Sequence, residues 1–153
     1  MPTENTDFEK AIEFVLSWEG GYVNDPRDPG GETNYGISKR SFPSLDIKNL
    51  TRDQAKQIYF EKYWLKADCD QLAWPINLVV LDTAVNCGVI PAKEMLRDVS
   101  RDDIQLTALD MAKDMVFRRL QYYLKICKAN ERLKIYLMGW FHRALKLYDV
   151  LLS

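Results

Sequence analysis

The stretch between residues 20 and 37 limits the possible folds more than any other part of the sequence. It holds five of the seven glycines and the prolines Pro26 and Pro29, which together exclude a continuous helix there. The sequence on either side has helical signals, so the stretch predicts a long loop with a short β-hairpin between helices. Connections of this length are uncommon unless the loop has a function.

Helix start and stop signals organise the N-terminal part. The segment Thr6–Glu9 is a predicted capping box that begins the first helix near residue 7, and Gly20 ends that helix. A second capping box, Thr51–Gln54, predicts a helix that runs to about Lys66.

The rest of the chain also has the pattern of helices. The segment Ile76–Cys87 follows Pro75 and is apolar nearly all round, so we expect a buried central helix, although its β-branched residues also allow a buried strand. Three more helices are expected: one from Pro91 to about Val99, one capped by Ser100–Asp103 that runs to Lys128, and a last one capped by Asn130. The sequence therefore predicts a mainly α fold.

Composition indicates one globular domain. The chain has 153 residues, of which 47% are hydrophobic, enough for a packed core. A net charge of −1 argues against a general nucleic-acid binder. Residues 1–110 carry 12 basic and 19 acidic side chains, whereas residues 111–153 carry 9 and 3. The basic end either favours an anionic polymer such as cell wall or consists of solvated helix faces.

The N-terminus and the cysteines indicate synthesis in the cytoplasm. The first seven residues lack the basic and apolar regions of a signal peptide, and no stretch is long and apolar enough for a membrane span. Cys69, Cys87 and Cys127 are an odd, widely spaced set, which predicts reduced thiols. If the substrate lies outside the membrane, in the cell wall or periplasm, we expect that the protein reaches it only after release or export, by a holin or a dedicated exporter.

The inventory of side chains excludes several kinds of active site. His142 is the single histidine, so a zinc site with several imidazole ligands cannot form. A Gly-x-Ser-x-Gly elbow and a phosphate-binding glycine loop are missing, and no cysteine has the signature of a Cys–His hydrolase. Residues 20–37 are rich in carboxyl, hydroxyl and aromatic groups. This set suits glycoside hydrolysis, which uses two carboxyl groups.

Glu19 occupies an unusual position for a carboxylate, because it continues the apolar stripe of the first predicted helix at the helix end. A charge there costs desolvation free energy, which suggests a need such as general acid catalysis. Apolar neighbours such as Trp18 and the negative end of the helix dipole both favour the protonated form of a carboxyl. We predict that Glu19 is the catalytic acid; an ordinary surface position is the alternative. The stripe consists of Phe8, Ala11, Ile12, Val15 and Leu16.

Three loop residues are candidates for the second catalytic group. Asp28 follows Glu19 after eight intervening residues, and Thr33 follows Asp28 after four. Asp25 is a competing candidate. Both aspartates lie beside or near a proline, where capping a turn explains them equally well.

Asp25 and three further side chains are predicted to bind substrate. Tyr22 and Tyr35 lie in the loop, where they either contact sugar rings or pack against the loop itself. Asn86 lies near the end of the central helix and could reach an N-acetyl group or cap the helix. Asp82, one turn earlier, either orients Asn86 or supports the hairpin, and a buried aspartate there should have a partner.

Several segments of the chain resemble a known family in their order along the sequence. They are Glu19-Gly20-Gly21-Tyr22, Asp25-Pro26-Arg27-Asp28-Pro29-Gly30-Gly31, Thr33-Asn34-Tyr35-Gly36-Ile37, Ile58-Tyr59, Tyr63-Trp64, Asp82 to Gly88, Arg119 to Tyr123, and Gly139 to Arg143. This pattern is similar to that of glycoside hydrolase family 108. Its members are N-acetylmuramidases of phage endolysins and proteins described as secretion activators.

The resemblance implies a lysozyme-like helical fold, a cleft, and hydrolysis of the β-1,4 bond between N-acetylmuramic acid and N-acetylglucosamine, with Glu19 as the acid. Phage-type lysozymes have a similar order of Glu, Asp and Thr, in which the second group activates or places the attacking water. This likeness implies that role for Asp28, with Thr33 in support, and implies inversion, although the gap from Asp28 to Thr33 is one residue shorter here. The family's C-terminal glycine turns are missing, so residues 89–153 resemble a degenerate peptidoglycan-binding region.

We therefore predict a single muramidase domain over residues 1–153, with the catalytic Glu and the loop in residues 7–37. It is expected to be a monomer without metal or organic cofactor. A second hypothesis is a non-catalytic glycan-binding or secretion-helper module on the same scaffold. A third is a calcium site formed by Asp25, Asp28 and Glu32, although their spacing does not match an EF-hand.

Overall fold

The computed structural model describes residues 5–101 and 105–153. These residues form a mainly α structure with one short hairpin, which confirms the predicted fold class. The elements in chain order are α1 Thr6–Trp18, β1 Thr33–Asn34, β2 Ile37–Ser38, α2 Arg52–Tyr59, a π-helical turn Phe60–Trp64, a 3₁₀ turn Cys69–Gln71, α3 Ile76–Cys87, α4 Val89–Val99, α5 Ala108–Ala129, a 3₁₀ segment Glu131–Tyr136, and α6 Leu137–Leu152.

The chain divides into two compact units, residues 1–66 and residues 67–153. The single domain expected from the length stays a prediction. Among the described helices, none combines the length and apolar character needed to cross a membrane.

In the first unit, aromatic side chains join α1 to the π-helical turn. The ring of Phe8 lies 5.0 Å from that of Phe60 and 5.4 Å from that of Trp64, both in edge-to-face geometry. The predicted apolar stripe of α1 is buried. Because edge-to-face pairs add to the free energy gained by burying apolar area, these contacts hold the end of α2 against α1.

The hairpin of the first unit is built around a tight two-residue turn. Tyr35 and Gly36 have φ of 51° and 77°, as a type I′ turn requires. Asn34 pairs with Ile37 across the strands. The buried Asn34 amide donates to the carbonyl of Ile47 at 3.1 Å, so the hairpin is anchored to the following loop.

The second unit is organised around α3. This helix is buried from Ile76 to Ala84, and it packs against α4 and α5, while α6 packs against α5. The preference for a helix over a strand in this segment is confirmed. Gly88, with φ of 103°, ends α3 and precedes α4.

Two predicted helix starts are confirmed in position but not in every detail. The Thr51–Gln54 capping box is present at α2. At α1 the capping residue is Asn5 and not Thr6, because the Asn5 side chain accepts a hydrogen bond from the Phe8 N–H. An asparagine one residue earlier provides the same acceptor.

The predicted start of α5 is wrong. Ser100 is the C-cap of α4, and α5 begins at Ala108 behind a complete capping box formed by Thr107 and Asp110. Asp102 and Asp103 of the predicted cap lie outside the described residues. Similarly, Asn130 caps the 3₁₀ segment, and α6 begins later, at Leu137.

Candidate active site

Glu19 ends α1 and lies against the hairpin turn. Its backbone leaves the helical region, with φ of −89° and ψ of 135°, and the residue is half-buried. A Cβ atom placed on Gly36 would lie 2.5 Å from Glu19 Oε2 and 2.6 Å from the Tyr59 hydroxyl oxygen. The carboxyl and the phenol therefore occupy the space beside the Gly36 Cα, and a side chain at position 36 would displace them.

Hydrogen bonds hold the turn on both sides. The Tyr35 N–H donates to the Gly20 carbonyl at 3.1 Å, and the Tyr59 hydroxyl donates to the Tyr35 carbonyl at 2.8 Å. Tyr35 adopts a left-handed conformation that costs a non-glycine residue about 1–2 kcal/mol. The turn is thus fixed between the end of α1 and the end of α2, in a strained conformation of the kind found at functional sites.

Tyr63 brings a second phenol near Glu19. Burial raises the pKa of Tyr63, and the negative charge of Glu19 raises it further. The Tyr63 ring lies 5.4 Å from that of Tyr59, and it belongs to the π-helical turn, a feature often found at functional sites. Neither tyrosine was predicted as a site residue from the sequence; their i, i+4 spacing, which places them on one helix face, was the available signal.

The two candidate aspartates of the loop have different surroundings. Asp25 Oδ1 accepts from the backbone N–H and Nε of Arg27, and Asp25 Oδ2 accepts from Nη2 at 3.0 Å. These bonds hold the pKa of Asp25 below its usual value. Asp28 is exposed, and its Oδ1 accepts from the Gly30 N–H at 2.8 Å. Both side chains therefore cap turns, which is one of the two roles that the sequence allowed for them.

The remaining loop candidates lie in the same unit as Glu19. The Tyr22 hydroxyl donates to Glu32 at 2.8 Å, and this bond raises the pKa of Tyr22. Thr33 forms a two-bond bridge with Val23, with both N–O distances 2.8 Å. Among the described residues, no three His, Cys, Asp or Glu side chains form a group suited to a metal ion, so the calcium hypothesis gains no support.

Asn86 belongs to the second unit, where a buried ionic cluster surrounds Asp82. The Asp82 carboxylate is fully buried and lies 2.7 Å from Arg119 Nη1 and 2.7 Å from Arg143 Nη2. Burial alone would raise the pKa of Asp82, but the two guanidinium groups outweigh burial and lower it. The predicted partner of Asp82 is thus a pair of arginines.

Hydrogen bonds connect this cluster to Asn86. Arg119 Nε donates to the Tyr123 hydroxyl, which donates to Asn86 Oδ1. Asp82 therefore reaches Asn86 through two intermediate side chains, and we name this series the Asp82–Asn86 relay. Because the amide oxygen accepts from Tyr123, the Asn86 NH₂ group retains its donor capacity for another acceptor. The sequence analysis noted Arg119 and Tyr123 only as parts of resembling segments.

The part of the chain that contains Glu19 and the hairpin matches a family model in a sequence comparison. The model of the Glycosyl hydrolase 108 family matches residues 12–88, about half of the chain. The chain belongs to this family. The segment matched by Glycosyl hydrolase 108 begins inside α1, includes Glu19 and the whole hairpin, and ends at Gly88 after the Asp82–Asn86 segment.

A solved structure supports the assignment to Glycosyl hydrolase 108. SagA of Brucella abortus is 29% identical, with a TM-score of 0.78, and the alignment covers 96% of this chain and 94% of SagA. Among curated proteins, none matches the sequence. The likeness to SagA confirms the mainly α, lysozyme-like fold over nearly the whole chain.

Proposed function

We propose that this Glycosyl hydrolase 108 protein hydrolyses the β-1,4 bond between N-acetylmuramic acid and N-acetylglucosamine in peptidoglycan, with Glu19 as the general acid. The single observation that carries the proposal is the placement of the Glu19 carboxyl. It ends α1, fills the space beside Gly36 and lies next to the phenols of Tyr59 and Tyr63. The residue is half-buried at a helix end, so its carboxyl is held in place and yet is not sealed off from a substrate.

The contacts that hold the Glu19 carboxyl in place also support this proposed role. Gly36 leaves no side chain between the hairpin and the carboxyl, and Tyr59 holds the turn through the Tyr35 carbonyl. An acid must lie within hydrogen-bond reach of the leaving oxygen. The fixed position of Glu19 beside the positive-φ turn supports its proposed role in protonating a glycosidic oxygen.

Asp28 is proposed as the group that activates or places the attacking water, with Thr33 in support. Asp25 is a weaker candidate because both its oxygens bind Arg27, which lowers its basicity. By analogy with phage-type lysozymes we propose inversion. That mechanism requires carboxyl groups about 6.5–9.5 Å apart, against about 5 Å for retention.

The other predicted substrate contacts belong to the same proposal. Tyr22 and Tyr35 border the Glu19 turn and offer rings and hydroxyls to sugars. Asn86 offers its NH₂ group to an N-acetyl carbonyl, with its oxygen held by Tyr123. In this proposal the protein acts as an endolysin-type enzyme on the cell wall, and a holin or an exporter delivers it after synthesis in the cytoplasm.

Digestion of purified peptidoglycan tests the proposal. Wild type, Glu19→Gln and the control Glu94→Gln, which changes an exposed carboxyl on α4, are compared; products are reduced and identified by mass spectrometry. We expect reduced N-acetylmuramic ends from wild type and Glu94→Gln, and a loss of at least about 100-fold in Glu19→Gln. Circular dichroism and thermal unfolding establish that all three proteins are folded.

Two other results would change the proposal. Reduced N-acetylglucosamine ends would identify a glucosaminidase and contradict the bond assigned here. Absence of products from folded wild type on several wall types, together with retained binding to peptidoglycan, would favour the non-catalytic glycan-binding or secretion-helper module.

A further inference from the structure

The connection between α5 and α6 exposes large apolar side chains. No residue of its 3₁₀ segment, Glu131–Tyr136, is buried. Ile135 and Met138 are 78% and 84% exposed, the two largest values among the large apolar side chains that the structure describes. Leu124, near the end of α5, is 54% exposed. Exposed apolar groups that lie close together commonly mark an interaction site. We name residues 124–138 the α5–α6 tip.

The α5–α6 tip is also basic. Its charged side chains are Lys125, Lys128, Arg132 and Lys134 against Glu131, a net charge of +3 in a chain whose net charge is −1. Lys134 pairs with Glu131 at 3.1 Å, so the one negative charge of the tip is neutralised within it. Lys128 and Arg132 are exposed, and neither forms an ion pair with a described residue. These two cations are therefore available to an external anion.

Stacked aromatic rings hold the tip on α5. The ring of Tyr136 lies 5.7 Å from that of Trp140, which lies 5.1 Å from that of the buried Tyr123. Exposure increases along this stack, from buried Tyr123 through half-buried Trp140 to exposed Tyr136. Tyrosine and tryptophan, which combine an apolar ring with one polar atom, are enriched where a membrane meets water. The stack thus fixes the tip and adds groups suited to that boundary.

We infer that the α5–α6 tip binds the surface of an anionic lipid bilayer. Ile135 and Met138 enter the outer part of the acyl layer, and Lys128 and Arg132 contact lipid phosphates. An anionic wall polymer or a nucleic acid would bind the cations but offers no aliphatic layer for the two exposed side chains. A bilayer offers both, since its phosphates lie directly above its acyl chains. Charge together with exposed aliphatic surface therefore favours lipid.

This inference accounts for the basic C-terminal part, for which the sequence allowed an anionic polymer or solvated helix faces. It is independent of the proposed hydrolase activity, because every residue of the tip lies in the second unit. The monomer expected from the sequence stays a prediction.

Flotation of the full chain with lipid vesicles tests the inference. Vesicles of phosphatidylcholine alone are compared with vesicles that contain about 30% phosphatidylglycerol, and we expect binding only to the anionic vesicles. Binding should weaken when the salt concentration rises from about 0.05 M to about 0.5 M. Circular dichroism and thermal unfolding establish that wild type and every variant are folded.

Removal of the apolar groups should weaken binding to anionic vesicles. The double variant Ile135→Ser/Met138→Ser should raise the dissociation constant at least about tenfold, because two side chains no longer enter the acyl layer. The control Ile90→Ser/Leu152→Ser changes two side chains that are 71% and 61% exposed outside the tip. It should leave the dissociation constant within about twofold of the wild-type value.

Removal of the cations should have an effect of similar size. Lys128→Gln/Arg132→Gln should raise the dissociation constant for anionic vesicles at least about tenfold. The control Lys62→Gln/Lys66→Gln makes the same change in net charge at two exposed positions of the first unit. It should stay within about twofold of wild type, because charges far from the bilayer are screened by salt.

Several results would overturn the inference. Folded wild type that binds no anionic vesicle, or that binds neutral vesicles equally well, contradicts it. If Ile135→Ser/Met138→Ser binds as well as wild type, charge alone accounts for binding and no side chain enters the bilayer. If wild type binds purified anionic wall polymer and not vesicles, and Lys128→Gln/Arg132→Gln weakens that binding, the tip is a polymer site. If it binds no vesicle but forms a dimer that Ile135→Ser/Met138→Ser disrupts in sedimentation equilibrium, the tip is an interface between copies.

Discussion

Glu19 and Asp82 are both carboxylates on otherwise apolar helix faces, yet the two units surround them differently. Asp82 is completely buried in the middle of α3 and binds two guanidinium groups. Glu19 is half-buried at the end of α1, beside Gly36 and Tyr59. A buried ionised carboxylate requires cations, whereas a general acid must be within reach of the oxygen that it protonates. Full burial between two guanidinium groups therefore marks Asp82 as a structural carboxylate, and partial exposure at a helix end leaves Glu19 a candidate acid, although the sequence pattern is similar.

The largest predicted effect is on stability, from removal of the Asp82 charge. Asp82→Asn leaves the guanidinium groups of Arg119 and Arg143 buried without their counter-ion, which should lower the free energy of unfolding by about 3–5 kcal/mol. The control Asp114→Asn removes a partly exposed i, i+4 pair with Arg118 and should cost only about 0.3–0.5 kcal/mol. Urea unfolding measures both. Equal losses in the two variants would contradict a structural role for the cluster.

Low pH should reveal how much the same cluster contributes to the stability of the wild type. The pKa of Asp82 is lower in the folded protein than in the unfolded chain, so its contribution is present above the unfolded pKa of about 3.9 and is lost as pH falls through the folded pKa. Wild type should therefore lose stability more steeply below about pH 4 than Asp82→Asn does. Parallel curves of the free energy of unfolding against pH would disagree with this account.

Gly36→Ala tests the surroundings of Glu19, the other carboxylate of the comparison. The added Cβ would collide with the Glu19 carboxyl and the Tyr59 hydroxyl, and the backbone is at φ of 77°. Gly31→Ala is a matched control, because its φ is 70° but its Cβ would meet only Lys39 Cβ, at 3.8 Å. The control should lose about 1 kcal/mol of stability from backbone strain. Gly36→Ala should lose at least about twice as much stability as this control.

Wall-digestion assays separate the two glycine variants further. Gly36→Ala should lose at least about tenfold in activity, since small displacements of a catalytic group have large effects on rate. Gly31→Ala should keep most of its activity when assayed well below its melting temperature. Similar losses of activity in both variants would show that backbone strain alone accounts for the effect.

Tyr123→Phe interrupts the Asp82–Asn86 relay with a smaller change. It removes the acceptor of Arg119 Nε and the donor to Asn86 Oδ1, at an expected cost of about 1–3 kcal/mol. If Asn86 binds an N-acetyl group, KM should rise while kcat changes little. The control Tyr122→Phe, whose hydroxyl makes no hydrogen bond among the described residues, should change neither. An unchanged KM with lowered stability would leave the relay a purely structural role.

The fold was predictable where local signals act alone. Thr51 and Gln54 specify the start of α2 by themselves, and the glycines and prolines before residue 37 exclude helix there. The start of α5 was misplaced because Ser100–Asp103 and Thr107–Asp110 are competing capping signals of similar local quality. Burial along a helix does not show which of two such signals is used.

The candidate site was predictable only in part. An apolar stripe that ends in a carboxylate indicated Glu19 and its helix-end position. Its contacts with Gly36 and Tyr59 depend on a tight turn meeting a helix distant in sequence, which no spacing rule describes. The same holds for Arg119, whose partner Asp82 lies 37 positions away. The sequence showed the residue types of the site but not which distant residues come into contact in the fold.

The smallest predicted effect is that of Asp25→Asn, and its contrast with Asp28→Asn distinguishes the two loop aspartates. Asp25 and its partner Arg27 form an exposed pair, so Asp25→Asn should shift the melting temperature by no more than about one degree and keep wall-digesting activity within about twofold. Asp28→Asn retains an oxygen that can accept from the Gly30 N–H but loses the charge needed to activate water, so activity should fall at least about 100-fold. The rates at which the two variants release N-acetylmuramic ends are compared directly. The ends are detected after reduction, with equal amounts of folded protein. If Asp25→Asn proves the more damaging, the ion pair with Arg27 must open during the reaction, and the role assigned to Asp28 would pass to Asp25.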